Sequence, residues 1–292
     1  MSDTPQSDTR QSATPQNASA AYRDEAPALA TAGSAPEPPL PYDPFPIPPY
    51  RALEGDGWRC WRMPGGIAGA GYFTDWRAVD HPAFGLMRGA GESWMTLTPM
   101  EIESQWPHLQ AASGHVLIGG LGLALMAYAV AAKPEVAAVT VVERDPAVIR
   151  LARRFAAMDD WPDAGKVRVV EADLRRRRAD APVDFLYVDI WRGYRAEPKI
   201  ADMQAILKNI SAPRAGYWGQ EVDAVDWWVA QGKPAESFDA DAFRAFCAAT
   251  GLPLIGLEEP RYPALCRRAA ANPNIPDQAM AEAIRAADAL SP

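Results

Sequence analysis

The sequence predicts an α/β protein with a doubly wound, mostly parallel, seven-stranded sheet and a small N-terminal β-rich extension. From residue 115 onward, apolar runs that do not alternate with polar residues recur, and helical patterns separate them. Strands that are buried on both faces have this composition, because helices cover both sides of a parallel sheet. A glycine-rich turn ends the first of these runs, as expected where a strand leads into a helix beside a ligand.

The most informative segment comprises residues 116–145. An apolar run meets Gly119, Gly120 and Gly122, an alanine-rich stretch follows, and a second apolar run ends on Glu143. Glycines let the backbone approach a ligand where a Cβ would clash, and amides at a helix start favour polar or anionic groups. A carboxylate about 20 residues further on, at the end of the next strand, can accept both hydroxyls of a ribose. The segment therefore predicts a nucleoside-bearing cofactor.

The remaining elements follow from the periodicity of apolar residues. The pattern predicts helices at 122–132, 146–158, 198–210 and 240–250. It predicts strands at 115–119, 138–143, 167–171, 183–189, 214–220 and 253–257, with a last strand near 262–268 that completes the sheet.

Composition divides the chain into four parts. Residues 1–45 are rich in Ser, Thr, Gln, Ala and Pro, so they predict a disordered tail that passes into an extended linker. Residues 46–112 are rich in glycine and aromatic residues and predict short strands and turns. Residues 113–275 form the predicted cofactor-binding domain, and residues 276–292 predict a short amphipathic helix on its surface.

Charge and composition restrict the partners. The 292-residue chain has a net charge of −8 and a pI near 5.0, which argues against nucleic acid as the main partner. The three cysteines show no paired spacing and the three histidines form no ligand pattern, so we expect a cytoplasmic protein without a metal. We expect no secretory signal and no membrane span, and a homodimer stays open. A small-molecule substrate is the simplest expectation.

Four motifs give a more specific resemblance. VLIGGLGLA, VTVVERDPAVIRLARRF, VRVVEADL and VDFLYVDIW occur in this order between about residues 90 and 225. In order and spacing they resemble the class I S-adenosylmethionine (SAM)-dependent methyltransferases, and within these the spermidine synthase-like branch. The resemblance implies a Rossmann-like fold that binds SAM or its decarboxylated form.

The resemblance also implies roles for individual residues. Gly120 and Gly122 fall on the family's glycine positions beside the methionine part of the cofactor. Glu143 falls on the residue that holds the ribose hydroxyls, and Asp173 on the residue beside the adenine amino group. Asp189 ends the fourth strand, beside the reacting sulfonium.

Each of these positions has a simpler structural interpretation. Gly119 would only relieve crowding between helix and sheet, and Glu143 could cap the following helix, although Asp145 is the better capping candidate. Asp173 could be a turn residue, and Asp189 could cap a helix.

Two departures from the pattern bear on the reaction. Leu123 and Arg192 stand where spermidine synthases carry carboxylates that hold an amine. A polyamine acceptor is therefore disfavoured, and we expect a methyltransferase that acts on a small molecule. Asp189 and Glu221 are the candidate catalytic bases.

The acceptor is predicted to lie among aromatic and polar residues that flank the core strands. These are Tyr72, Trp94, Glu101, Glu103, Gln105, Trp191, Tyr194, Tyr217, Trp218, Gln220 and Glu221. Two alternatives to a methyltransferase stay open: an aminopropyltransferase that uses decarboxylated SAM, and a non-catalytic relative that keeps a nucleoside pocket. A nicotinamide cofactor fits poorly, because Leu125 stands at the last position of its fingerprint.

Overall fold

The computed structural model describes residues 45–89, 91–195 and 197–290, with side chains up to residue 286, and these residues belong to one unit. The strands are β1 (Leu53–Gly55), β2 (Trp58–Gly69), β3 (Arg77–Arg88), β4 (Glu92–Thr96), β5 (Gly114–Gly119), β6 (Val136–Glu143), β7 (Val167–Glu171), β8 (Phe185–Val188) and β9 (Ala215–Tyr217). The helices are α1 (Pro99–Ala111), α2 (Leu125–Ala131), α3 (Pro146–Phe155), α4 (Lys199–Asn209), α5 (Gln220–Ala230), α6 (Ala240–Thr250), α7 (Tyr262–Ala270) and α8 (Gln278–Leu290). The predicted tail, apart from residue 45, lies outside the described residues.

The five strands β5 to β9 form a parallel sheet in the order β7-β6-β5-β8-β9. Strand β8 is buried along its whole length and β5 along most of it, as the continuous apolar runs predict. The chain runs outward from β5 to β7 on one side and from β8 to β9 on the other. The strand order therefore reverses between β5 and β8, and open α/β sheets bind ligands at this kind of position.

The prediction of seven strands is wrong for the described residues, in which the parallel sheet has five. Residues 253–257 contribute only an isolated parallel bridge between Leu254 and Ala215. The segment near 262–268 is helix α7, with Pro263 in its first turn. Apart from Pro263, its buried residues Tyr262, Leu265, Cys266 and Ala269 follow the three- and four-residue spacing of a helix and not the alternation of a strand.

A four-stranded antiparallel sheet, in the order β1-β2-β3-β4, precedes the parallel sheet in the chain. Helix α1 then replaces the strands and turns predicted for the end of this region. Thr98 caps it by accepting a hydrogen bond from the Glu101 amide at 3.2 Å. Its buried face carries the polar residues Glu103, Gln105 and His108, and this polarity obscures the helical pattern in the sequence.

The C-terminal half contains every helix predicted there and two that the sequence did not predict, α5 and α7. Helix α6 coincides with the prediction for 240–250 and ends at Gly251 in a left-handed conformation. Strand β9 ends at Tyr217, three residues before the predicted limit, because the unpredicted helix α5 begins at Gln220, directly after the left-handed Gly219. Helix α8 lies in the segment predicted to be helical, and most of its described side chains are exposed.

Candidate functional site

A cleft of about 1140 Å³, measured out to its open mouth, lies at the carboxyl ends of β5, β6, β7 and β8. Its walls include all five residues predicted to bind a cofactor: Gly120, Gly122, Glu143, Asp173 and Asp189. The opposite wall comes from the antiparallel sheet, through Trp58, Leu86, Arg88, Trp94 and Met95. The sequence interpretation named only Trp94 of this second wall, because an aromatic strand has the same appearance whether it faces a core or a cleft.

The glycine turn between β5 and α2 forms the floor of the cleft. Gly120 has a φ of +91°, and a Cβ there would collide with the carbonyl oxygen of Asp189 on the neighbouring strand. A Cβ on Gly122, whose φ is +50°, would stand 2.9 Å from the sulfur of Met95. Gly120 is therefore required by the packing of β5 against β8. Crowding also accounts for Gly119, where a Cβ would meet the side chain of Leu174.

The backbone amides of this turn are already partly used. The amide of Leu121 donates to the carboxylate of Glu143, and the amide of Leu123 donates to the sulfur of Met95 at 3.3 Å. Helix α2 begins only at Leu125, after Ala124 in a left-handed conformation, and has seven residues. The expectation that the first amides of this helix face a polar or anionic group stays a prediction.

Glu143 lies at the carboxyl end of β6, and each of its carboxylate oxygens accepts one backbone amide. Oε2 accepts from Leu121 at 3.0 Å, and Oε1 accepts from Asp145 at 2.9 Å. A carboxylate has about four lone-pair positions, so both oxygens keep capacity for a ligand. Asp145, not Glu143, caps α3, because its Oδ1 accepts from the Ala147 amide at 2.8 Å.

Asp173 follows β7 on the same edge of the sheet, and its side chain is exposed. Its Oδ1 accepts from the amide of Arg175 at 3.0 Å, and Arg176 lies 3.7 Å from its other oxygen. Within the protein Asp173 therefore acts as a turn residue, as its simpler interpretation predicts. It also lies in the cleft wall, and its contact with adenine stays a prediction.

Asp189 and Glu101 both line the cleft, and the charge of Asp189 acts on Glu101. The buried side chains of Gln105 and Tyr187 line the cleft with them, and we call the part formed by these four residues its inner end. Burial raises the pKa of Asp189 to about 7, and the positive charge of Lys199 opposes this rise. Burial, followed by the charge of Asp189, raises the pKa of Glu101 to about 8, while the Gln105 amide opposes it. At neutral pH this pair can therefore both hold and accept a proton, a property found at catalytic sites.

Glu221, the other predicted catalytic base, does not line the cleft. It is fully buried at the start of α5, where Oε1 accepts from the hydroxyl of Tyr262 at 2.5 Å and Oε2 from Tyr72 at 3.2 Å. Burial raises the pKa of Glu221 to about 7, although both tyrosines oppose the rise. This geometry gives Glu221 a structural role, and we do not place it at the reaction.

The predicted acceptor residues separate into two groups. Trp94, Glu101, Gln105, Trp191 and Trp218 line the cleft, whereas Tyr72, Glu103, Tyr194, Tyr217 and Gln220 do not. Glu103, for example, accepts from the Phe73 amide at 2.7 Å and pairs with Arg77 at 3.1 Å. The sequence places these residues before the first core strand or after the fourth and fifth strands, but it cannot tell which side of each backbone faces the cleft.

The two positions that depart from the synthase pattern also differ from each other. Leu123 is fully buried and lies outside the cleft lining. Arg192 forms an ion pair with Glu92 at 2.8 Å and its guanidinium stands over the ring of Trp94 at 5.5 Å. A positive charge therefore stands beside one cleft wall.

The described residues contain neither a group of three His, Cys, Asp or Glu side chains that could hold a metal nor a helix long and apolar enough to cross a membrane. No family model and no curated protein matches the chain.

Solved structures match parts of the chain at low identity. The SAM-dependent methyltransferase SibL is 22% identical with a TM-score of 0.30, over 39% of this chain and 35% of its own. TrmN from Thermus thermophilus is 21% identical with a TM-score of 0.30, over 37% of this chain and 33% of its own. Precorrin-6y C5,15-methyltransferase from Geobacter metallireducens is 16% identical with a TM-score of 0.30, over 39% of this chain and 59% of its own. Each match therefore spans less than two thirds of the other protein.

Proposed function

We propose that the chain is a SAM-dependent methyltransferase that acts on a small-molecule acceptor. The observation that supports this most directly is the placement of Glu143. Its carboxylate stands at the end of β6, beside the strand-order reversal, and is held by amides of the two turns that border the cleft. A carboxylate fixed at this edge of a parallel sheet is suited to a ribose.

The residues present fit a nucleoside with a sulfonium side chain. Glu143 has lone pairs left for two hydroxyls, and Asp173 lies along the same wall for a base amino group. Asp189 lies at the inner end, where a carboxylate stabilises a nearby cation. When bound, SAM supplies an electrophilic methyl group. The chain orients the ribose, excludes water with its aromatic wall and holds a proton acceptor near the acceptor atom.

The resemblance to spermidine synthases keeps an aminopropyltransferase as a second candidate, because Asp189 and Glu101 give the cleft an acidic inner end. The positive charge of Arg192 and the burial of Leu123 disfavour it. A non-catalytic nucleoside-binding relative is the third candidate. We further propose a cytoplasmic location, because Cys60, Cys247 and Cys266 are all buried and free.

The proposal is tested by measuring the melting temperature of the purified protein as a ligand is titrated. The ligands are SAM, decarboxylated SAM, S-adenosylhomocysteine and NAD. A ligand that binds only the folded state raises the melting temperature with its concentration. We expect shifts from SAM and S-adenosylhomocysteine, and none from NAD. Absence of a shift with every adenosyl ligand would refute the proposed function, and a preference for decarboxylated SAM would favour the second candidate.

A further inference from the structure

The inner end of the cleft contains buried polar atoms for which the described part of the protein offers no partner. Gln105 donates from Nε2 to Oε1 of Glu101 at 2.5 Å, which leaves its Oε1 without a hydrogen bond. The hydroxyl of Tyr187 also lacks a partner. Both side chains are 1% exposed and both line the cleft. An unsatisfied buried polar group costs about 1–3 kcal/mol, so such groups gathered at one place point to a bound ligand.

From these groups we propose that the inner end of the cleft binds the amino group of a small amine, and that Glu101 accepts its proton during methylation. This inference rests on the proposed function and names its acceptor class. It assigns the proton acceptor to α1, which lies outside the parallel sheet, and not to Glu221.

The hydrogen-bonding groups at the inner end of the cleft favour an amine as the ligand. Glu101, Asp189 and the free oxygen of Gln105 are all acceptors, and Tyr187 can also accept. An ammonium group carries three donors, whereas a hydroxyl carries one and would leave most of these acceptors unsatisfied. A phosphate or carboxylate ligand would be repelled by the two carboxyl groups.

The residues around Glu101 and Asp189 add apolar walls to the cleft and leave both carboxyl groups accessible to a cation. The indole of Trp218 lines the same cleft and is fixed by a hydrogen bond from its Nε1 to Ser104 at 3.0 Å. Lys199, the cation whose charge acts on Asp189, donates to the Tyr194 carbonyl at 2.6 Å and lies 3.6 Å from Asp223. Trp94 provides the one unpartnered indole donor among the described cleft residues. These contacts suit an amine on an apolar or aromatic carrier.

The proposed step is balanced. Glu101 is ionised to a growing extent as the pH approaches its raised pKa of about 8. In this ionised form its carboxylate takes one proton from the bound ammonium, which becomes a neutral amine. The nitrogen lone pair then forms the bond to the methyl carbon, the carbon–sulfur bond breaks, and its electron pair stays on sulfur. The products are the methylated ammonium, S-adenosylhomocysteine and protonated Glu101, which returns its proton to solvent.

The competing occupant of this subsite is the amino group of the cofactor itself. Binding of benzylamine and of its isostere benzyl alcohol, measured by calorimetry in saturating S-adenosylhomocysteine, separates the two interpretations. We expect benzylamine to bind and benzyl alcohol to bind at least tenfold more weakly. In Glu101→Gln, benzylamine should lose at least tenfold in affinity, while S-adenosylhomocysteine changes by less than threefold.

A pH–rate profile tests the proton transfer with any amine that is turned over. Loss of a general base typically costs 10²–10⁴-fold in rate. Glu101→Gln should lower kcat at least 100-fold and remove the acidic limb of the profile, and Glu101→Asp should restore part of the rate. Glu103→Gln is the matched control, since Glu103 is buried on the same helix but lies outside the cleft lining. It should lower stability while keeping the shape of the profile.

Three results would overturn the inference while leaving the proposed function intact. They are equal binding of benzylamine and benzyl alcohol, no binding of benzylamine to the protein saturated with S-adenosylhomocysteine, and a tenfold or larger loss of S-adenosylhomocysteine affinity in Glu101→Gln. Failure of S-adenosylhomocysteine to bind the unmodified protein would instead refute the proposed function.

Discussion

The carboxylate of Glu143 accepts a hydrogen bond from the backbone amide of Leu121 at 3.0 Å, so the end of β6 is tied to the glycine turn that follows β5. A backbone bond from Gly120 to Val142 at 2.9 Å reinforces the same junction. Since Oε1 also holds the Asp145 amide, the orientation of the carboxylate is fixed before any ligand arrives. A pre-oriented acceptor loses little conformational entropy on binding.

Replacement of Glu143 by alanine should weaken SAM binding by about 1–3 kcal/mol, the range for a lost hydrogen bond that involves a charged group. Calorimetry measures the affinity, and Glu143→Gln, which keeps one carbonyl oxygen, should lose less. Glu171→Ala is the control, since Glu171 pairs with Glu143 in register but is exposed and lies outside the cleft lining. Unchanged affinity in a folded Glu143→Ala protein would show that the ribose assignment is wrong.

Alanine at Gly120 should destabilise the fold, because the position needs a φ of +91° and has no room for a Cβ beside the carbonyl of Asp189. The backbone conformation alone costs about 1–3 kcal/mol for a residue other than glycine. Urea denaturation measures the loss. Gly165→Ala provides the control, since a Cβ at Gly165 would have no neighbour within 4 Å and should change stability by less than about 0.5 kcal/mol. Equal stability of the two variants would contradict this account.

The sequence predicted the core of the fold because the strands β5, β6 and β8 are continuous apolar runs with glycine or carboxylate at their ends. It also placed Glu143 and Asp189 at one edge, since parallel strands bring their carboxyl ends together. The prediction of a strand where helix α7 lies is wrong, because a short apolar run fits both the 3.6-residue period of a helix and the two-residue period of a strand.

The sequence named Trp94 and Glu101, but it predicted neither the rest of the second wall nor the role proposed here for Glu101. Helix α1 buries carboxylates, an amide and an imidazole, and tertiary contacts such as that of Glu103 with the Phe73 amide stabilise them there. Glu221 satisfied every local criterion for a catalytic residue, yet the hydroxyls of Tyr72 and Tyr262, far away in the chain, occupy both its oxygens. Such partners are decided by packing, which local sequence does not encode.

Stability should fall as pH rises from about 6.5 to 8.5, because carboxyl groups with raised pKa bind more protons in the folded than in the unfolded chain. The pKa of Glu101 is raised to about 8 and those of Asp189 and Glu221 to about 7, chiefly by burial. Burial lowers the pKa of His108 to about 3, which has the opposite effect, but this acts only at lower pH.

Urea denaturation at several pH values within this window measures the slope. Glu101→Gln should reduce the slope, because one of the groups that take up a proton on folding is removed. Glu171→Gln, an exposed carboxylate, should leave it unchanged. A stability that is constant or rises over this range in the unmodified protein would contradict the assignment of these buried carboxyl groups.

Removal of residues 1–42 should leave the melting temperature nearly unchanged, because their composition contains no pattern that forms a core. Removal of residues 1–50 should not be neutral. Phe45 is buried, and the ring of Tyr50 packs against Phe84 and Phe155 at centroid distances of 5.3 and 6.0 Å. Loss of a buried aromatic side chain costs about 3–5 kcal/mol. Differential scanning calorimetry of both truncations measures the contrast, and a large loss in the shorter truncation would move the boundary toward the N-terminus.

The protein should form no appreciable spermidine from putrescine and decarboxylated SAM. A diamine bound through one ammonium at Glu101 and Asp189 still has a second cation to place, and the guanidinium of Arg192 stands over Trp94 in the cleft wall. A second ammonium placed about 4 Å from a like charge would cost roughly 1–4 kcal/mol, from the dielectric of bulk water to that of a protein surface. Mass spectrometry of the products measures the reaction.

Arg192→Asp alone should not create the activity. Leu123, the other position where the synthases carry a carboxylate, is fully buried and lies outside the cleft lining, so the variant still lacks the second charge that would hold a diamine. The substitution also leaves Glu92 without its ion pair to Arg192, so its melting temperature serves as a control for folding. Robust aminopropyl transfer by the unmodified protein would reverse this ordering and make the aminopropyltransferase the leading candidate, because the positive charge of Arg192 would then be compatible with a dicationic acceptor.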